Sequence, residues 1–176
     1  SGRLRGPFVD LDPEAVKQSL TRETVLVSVM LANNEIGTVE PVAEIARICR
    51  EAGVASHTDA VAAAGKVRVD VKELGVDLLT ISAHKLQGPK GVGALYIREC
   101  TKIHPLVHGG HQEKGLRGGT ENVIGIAGLG KACEILAAEW EHNAEHERKL
   151  RDKLEQAIIA RIPEIIVDGH PTRRVP

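Results

Sequence analysis

LLTISAHKLQGPKGVG, residues 78–93, puts a lysine where a solvated lysine has no reason to stand. LLTIS is a short, mostly apolar, β-prone run, and the Gly/Pro-rich segment behind it closes it, which predicts a buried, parallel strand. Between strand and turn come Ala83, His84 and Lys85. Ligands of open α/β sheets bind outside the carboxyl ends of the strands, and Lys85 falls at such an end. An amine held there and partly desolvated loses proton affinity and becomes nucleophilic near neutral pH, as Schiff-base chemistry with a carbonyl cofactor requires. The competing reading is a charge snorkelling out of a strand end. Lys90 is the internal comparison, because the glycines and proline of GPKGVG imply an exposed turn and ordinary solvation.

Upstream, Pro7–Leu11 predicts a short strand, and Asp12-Pro13 a helix start with Asp as N-cap, the helix running to about Leu20. VLVSVML, residues 25–31, is a continuous apolar strand that runs into the polar turn Ala32-Asn33-Asn34-Glu35-Ile36-Gly37. Pro41 opens a helix whose Val42, Ile45, Ala46 and Cys49 repeat at helical spacing until Gly53 stops it. That puts Cys49 in the core. VASHTDA, residues 54–60, is a third strand ending at Asp59, and Ala94–Arg98 is an edge or antiparallel strand. Strand, helix, strand, crossover, strand describes βαβ units and a largely parallel sheet. Asn34, Asp59, Ser82, His84 and Lys85 then fall together at the carboxyl ends of its strands, and loops on one sheet edge make one site.

Downstream, residues 104–119 form a loop rich in His and Gly. The chain is helical from about Glu121 to Ala160, with Leu150, Leu154 and Ile158 as a core-facing stripe. A change of composition near His142 divides the chain into 1–141, part of a large domain, and 142–176, the truncated start of a small one in which Ile165–Val167 would be the first strand.

The 176 residues suffice for one buried core. A net charge of −1, with one Phe, one Tyr and one Trp, provides neither the basic stripe nor the stacking rings of a nucleic-acid surface. Three widely spaced cysteines suggest reduced thiols in the cytoplasm. No long apolar run predicts a signal peptide or a membrane span. The only methionine is Met30, so the chain reads as a fragment or a processed product.

Three patterns are decoys. His142-Asn143-Ala144-Glu145-His146 matches the inverted zinc-protease motif, but EWEHNAEHERK is charged on every side, whereas a catalytic zinc needs a walled site and a further ligand. GIAGLGKA, residues 125–132, has Walker A spacing with Ala132 in place of the magnesium-binding hydroxyl and no preceding strand, which reads as close helix packing. His104, His108 and His111 lie in a loop without a cysteine or carboxylate cluster, and loop hydrogen bonding is their default.

VSVMLANNEIGTVEP, HTDAVAAAGKVRVDV, LGVDLLTISAHKLQGPKGVGALYIR and GGHQEKGLRGGTENVIGIAGLGKA together resemble the class V aminotransferase-type pyridoxal-phosphate (PLP) enzymes. Within them the closest resemblance is to the cysteine desulfurases that supply sulfur for iron–sulfur clusters. It implies the central part of a fold-type I large domain, a mostly parallel α/β sheet with flanking helices, followed by helices leading into a small domain. It also implies that Lys85 links to PLP, Asp59 binds the pyridinium nitrogen, Ser82 and His84 hold the phosphate, and Asn34 contacts the phenolic oxygen or the substrate carboxylate. Thr120 would reach the phosphate of the neighbouring subunit, making the site a property of a homodimer; its other reading is a helix N-cap. The implied substrate is L-cysteine, and the implied partner an iron–sulfur scaffold or other sulfur acceptor. Selenocysteine lyase is the neighbouring chemistry, and a non-catalytic dimerisation or partner-binding remnant the alternative of another class.

Ala62 departs from the family pattern, which has glutamine there to hydrogen-bond the cofactor phenolate. Cys49, Cys100 and Cys133 match none of the family's functional positions, and its sulfur-accepting cysteine is expected beyond residue 176.

Overall fold

The computed structural model describes residues 10–176. The strand expected over Pro7–Leu11 lies mostly outside this range, and Asp10 and Leu11 are not in a strand. Helix α1 (Pro13–Ser19) starts as expected, the Asp12 carboxylate accepting the Glu14 N–H at 2.9 Å with Pro13 in the first turn. Strands β1 (Leu26–Met30), β2 (Ala55–Asp59), β3 (Leu78–Ser82) and β4 (Gly93–Ile97) form one sheet in that order. β1, β2 and β3 run parallel and β4 pairs antiparallel with β3 at the edge. Helix α2 (Val42–Glu51) crosses from β1 to β2, and α3 (Val71–Leu74) from β2 to β3.

Alternation along the strands gives the sheet two unlike faces. One carries Val27, Val29, Thr58, Leu79, Ile81 and Tyr96, and α2 seals it. Val42, Ala46, Val76 and Leu79 form one buried cluster, and Ile45, Cys49 and Val54 a second that reaches Val16 of α1. Cys49 is fully buried, as its place in the apolar stripe requires, and burial with Asp77 nearby raises its thiol pKa. The other face carries Ser28, His57 and Thr80, with Leu26 and Leu95 nearly half exposed.

Helix α4 (Val123–Ile159) is one continuous element that passes through His142 without a break. Its first half packs on the sheet's carboxyl edge through Leu129, Ala132, Cys133 and Leu136, which follow helical spacing. The stripe expected to face a core farther along is exposed at Leu150, Leu154 and Ile158, since no described element lies against it. Ile165–Val167 is not a strand, because it has no pairing partner among the described residues. The chain pairs instead a few residues later, where Arg174 bridges to Thr38.

Candidate active site at the carboxyl edge of the sheet

Because β1, β2 and β3 are parallel, their carboxyl ends open onto one edge. Past β1 the ladder continues for one bond, from Leu31 N–H to the Asp59 carbonyl at 2.8 Å. The chain then turns through residues 33–37. Asn33 Oδ1 accepts the N–H groups of Glu35 at 2.9 Å and Ile36 at 3.0 Å, and Gly37 takes a φ of +72°. The first asparagine of the pair is therefore consumed by the turn, and Asn34 stands exposed beside it. The role of Asn33 escaped the sequence reading, although an Asx residue opening a turn that ends in glycine is its signal.

At the end of β2, Asp59 Oδ1 accepts the Val61 N–H at 2.8 Å, which orients the carboxylate and leaves Oδ2 without a bond to any described residue. The Ala60 N–H donates to the Thr80 carbonyl at 3.0 Å, locking this turn to β3. Asp59 is half-buried, and the expected site residues on either side of it come from the neighbouring strands.

β3 passes directly into a single 3-10 turn, Ala83–Leu86, which sorts its residues by burial: Ala83 and Leu86 face inward, and His84 and Lys85 face out. Ser82 Oγ lies 2.8 Å from His84 Nδ1, so the two expected phosphate-holding groups are already in contact. Gln87 ends the turn at a φ of +60°, and Gly88 N–H returns to the Ala83 carbonyl at 2.9 Å. The partial desolvation expected of Lys85 is absent: no described residue covers the amine, and Lys85 is exposed like Lys90. The sequence locates Lys85 at the edge, but residues 10–176 do not supply the wall that would dry it.

The turn is braced from below by α4, whose Leu129 joins Ala83 and Leu86 in a buried cluster. Gly128 lets Pro89 close on the helix, since a Cβ at 128 would come within 2.5 Å of Pro89 Cγ. The GIAGLGKA stretch is thus the close helix packing expected of it. Helix α4 is capped by Asn122, whose side chain accepts the Gly125 N–H at 3.0 Å. The N-cap reading of Thr120 is corrected accordingly, because Thr120 lies two residues before the cap and exposed. No hydrogen bond joins Thr120 to the strand-end residues among those described. His142 and His146 lie on the solvated part of α4, and Glu145 between them is engaged by Arg148 and Lys149, which hold its carboxyl below the usual range. Among the described residues no three His, Cys, Asp or Glu side chains group as metal ligands.

The main electrostatic perturbation near the edge falls on His57, two residues before Asp59. Burial lowers its pKa, opposed by the Asp59 charge. Its imidazole lies 2.7 Å from Ser28 Oγ and 3.3 Å from Thr80 Oγ1. Sequence reading passed over it, because its partners lie on two other strands.

Residues 7–174 match the family model described as aminotransferase class-V. Proteins named cysteine desulfurase IscS are 51% identical in Dictyoglomus turgidum and 50% identical in Methanosarcina thermophila, each over 94% of this chain. The chain spans about two fifths of the length of these relatives, 42% and 41%. Among solved structures, a NifS-like protein superposes with a TM-score of 0.81 at 44% identity, over 85% of this chain and 42% of that one. SspA in complex with cysteine superposes with a TM-score of 0.68 at 41% identity, over 70% of this chain and 36% of that one.

Proposed function

We propose, since the chain belongs to the aminotransferase class-V family, that it is the central part of a PLP-dependent cysteine desulfurase, which takes sulfur from L-cysteine and releases alanine. The observation that carries this reading is the delivery of Lys85 and Asp59 to one sheet edge by adjacent parallel strands. Roughly half-identity to proteins named cysteine desulfurase supports the choice of substrate.

The family is PLP-dependent, and the donor set at this edge suits that cofactor. Lys85 is an accessible amine with no ion pair to a described residue, Asp59 has an oxygen to spare, and Ser82 with His84 forms a hydroxyl–imidazole pair able to turn toward phosphate oxygens. Bound PLP supplies an electron sink for charge developing at the substrate Cα. Lys85 is the residue assigned to carry the cofactor and to move the Cα proton, which requires its amine uncharged. Asp59, already oriented by Val61, holds a proton on the ring nitrogen by charge-assisted hydrogen bonding. Asn34 contacts the phenolic oxygen or the substrate carboxylate, and with Ala62 in place of an amide it is the main polar partner there. Thr120 serves the phosphate of a neighbouring subunit.

The sulfur-accepting thiolate is assigned to a cysteine outside these residues. Cys49 is sealed under α2, Cys133 packs along α4, and Cys100 follows β4, whose antiparallel course carries it to the opposite edge of the sheet. A cytoplasmic homodimer that passes sulfur to an iron–sulfur scaffold or another acceptor protein completes the reading. The dimer draws support from Val123 and Ile124, 70% and 87% exposed beside Thr120.

The test is to mix the purified chain with PLP and reduce with borohydride. A stable label on Lys85 is expected, lost in Lys85→Ala and kept in Lys90→Ala. A folded chain that takes no label, or takes it equally at Lys90, refutes the assignment and favours a non-catalytic dimerisation or partner-binding remnant.

A further inference from the structure

His57 occupies the middle of a hydrogen-bonded row that crosses three parallel strands. Its Nδ1 lies 2.7 Å from Ser28 Oγ on β1, and its Nε2 lies 3.3 Å from Thr80 Oγ1 on β3. Ser28 is the register partner of His57, and Thr80 that of Asp59. Residues two apart on a strand share a face, so His57 and Asp59 leave β2 on the same side, and Thr80 is linked to both. In a neutral imidazole one ring nitrogen donates and the other accepts, whereas a hydroxyl does either. Both bonds can therefore be made with the ring uncharged. A charged ring at this position would instead offer Asp59 a cation of its own.

We propose that His57 is a positioning residue for Asp59: its neutral ring ties β1 and β3 to the last turn of β2, fixing the direction of the Asp59 carboxylate and keeping that carboxylate free of a competing cation. The residues sharing this face around the ring are Ser28 and Met30 on β1, Ala55 and Asp59 on β2, and Leu78, Thr80 and Ser82 on β3, so Asp59 is the only charge on these three strands that it meets. The inference rests on the assignment of Asp59 to the ring nitrogen of PLP, but it concerns a geometry that can be read without the cofactor.

Three variants of this chain test it. His57→Ala removes both bonds, His57→Asn keeps a polar atom where Nδ1 was, toward Ser28, and His57→Gln keeps one where Nε2 was, toward Thr80. The cofactor-free readout is the Val61 amide, whose N–H donates to Asp59 Oδ1. In His57→Ala its resonance is expected to move and its hydrogen exchange to quicken about fivefold, as for the loss of one net hydrogen bond. The PLP readout is a Kd about fivefold weaker, with a displaced absorbance maximum. His57→Asn and His57→Gln should each restore part of both effects. Wild-type values for the Val61 amide, Kd and spectrum in His57→Ala overturn the proposal. A lowered melting temperature with those three unchanged overturns it equally, since that leaves His57 a brace and nothing more. Should His57→Ala not fold, unchanged Val61 signals in both polar variants overturn it. If the wild-type chain binds no PLP, the assignment of Asp59 fails, and the Val61 amide still decides the question for His57.

Discussion

His57 also makes folding sensitive to acid. An unfolded histidine titrates near pH 6.5, and burial lowers the folded value, so between the two the unfolded chain holds more protons. Stability linked to this group is then fully present above about pH 6.5 and is lost as pH falls through the depressed folded pKa. Asp59 opposes the shift and the ring is partly solvated, so the effect is small. Urea midpoints at pH 7.5 and 5.5 should differ more for the wild type than for His57→Gln, and equal differences would remove His57 as the source. At this scale the sequence disclosed Lys85, because a charged residue ending an apolar strand violates the strand's own pattern; Asp59, which ends the mixed run ASHTD and alone reads as a strand-end turn residue, stood out only through the family resemblance. It did not disclose Asn33 or His57. Their partners are the Glu35 and Ile36 amides of a turn and hydroxyls on two other strands, and neither arrangement exists until the chain has folded.

Among elements, the 3-10 turn bearing Lys85 has only two inward residues, so its position depends on what they meet. They meet Leu129 of α4, itself 8% exposed. Leu129→Ala should cost about 2–4 kcal/mol in chemical denaturation, combining lost transfer energy with a cavity. It should also quicken exchange of the Gly88 amide, which donates to Ala83 across the turn. Glu139→Ala, at an exposed site on the same helix, should stay within about 0.5 kcal/mol of wild type. Equal costs would mean that α4 does not brace the turn. The four strands of the sheet were legible to within a residue at either end, because β-prone runs closed by Gly, Pro or polar turns are short-range signals. The packing of α4 was legible only in part. GIAGLGKA announced close approach, but nothing in the sequence said that Pro89 and the Lys85 turn were what it approached.

For the whole molecule, the informative failure of sequence reading is the last stretch. Ile165–Val167 has the composition of a strand and no partner among the described residues, while the polar GHPTRRV that follows ties the end of the chain to the turn bearing Asn34. His170 N–H donates to Thr38 Oγ1 at 3.0 Å, Val39 N–H to the Arg173 carbonyl at 2.9 Å, and Val175 N–H to the Gly37 carbonyl at 2.9 Å. Arg174, with its side chain 11% exposed, pairs with Glu155 of α4 at 2.7 Å, so the segment joins the far half of the long helix to the site edge. Ending the chain after Asp168 removes all of these contacts and leaves the buried Thr38 hydroxyl without the N–H it now accepts. At about 1 kcal/mol net per hydrogen bond, the loss should be at least about 2 kcal/mol, a fall in melting temperature of about 4–8 °C for a domain of this size. The Val39 amide should lose protection in the same variant, whereas the Ala60 amide, bonded to Thr80 within the sheet, should keep it. Equal protection at both amides with an unchanged melting temperature would mean that the segment rests against the turn without holding it. Loss at both would mean that the sheet edge, and the Lys85–Asp59 arrangement with it, depends on the chain's last residues as much as on its strands.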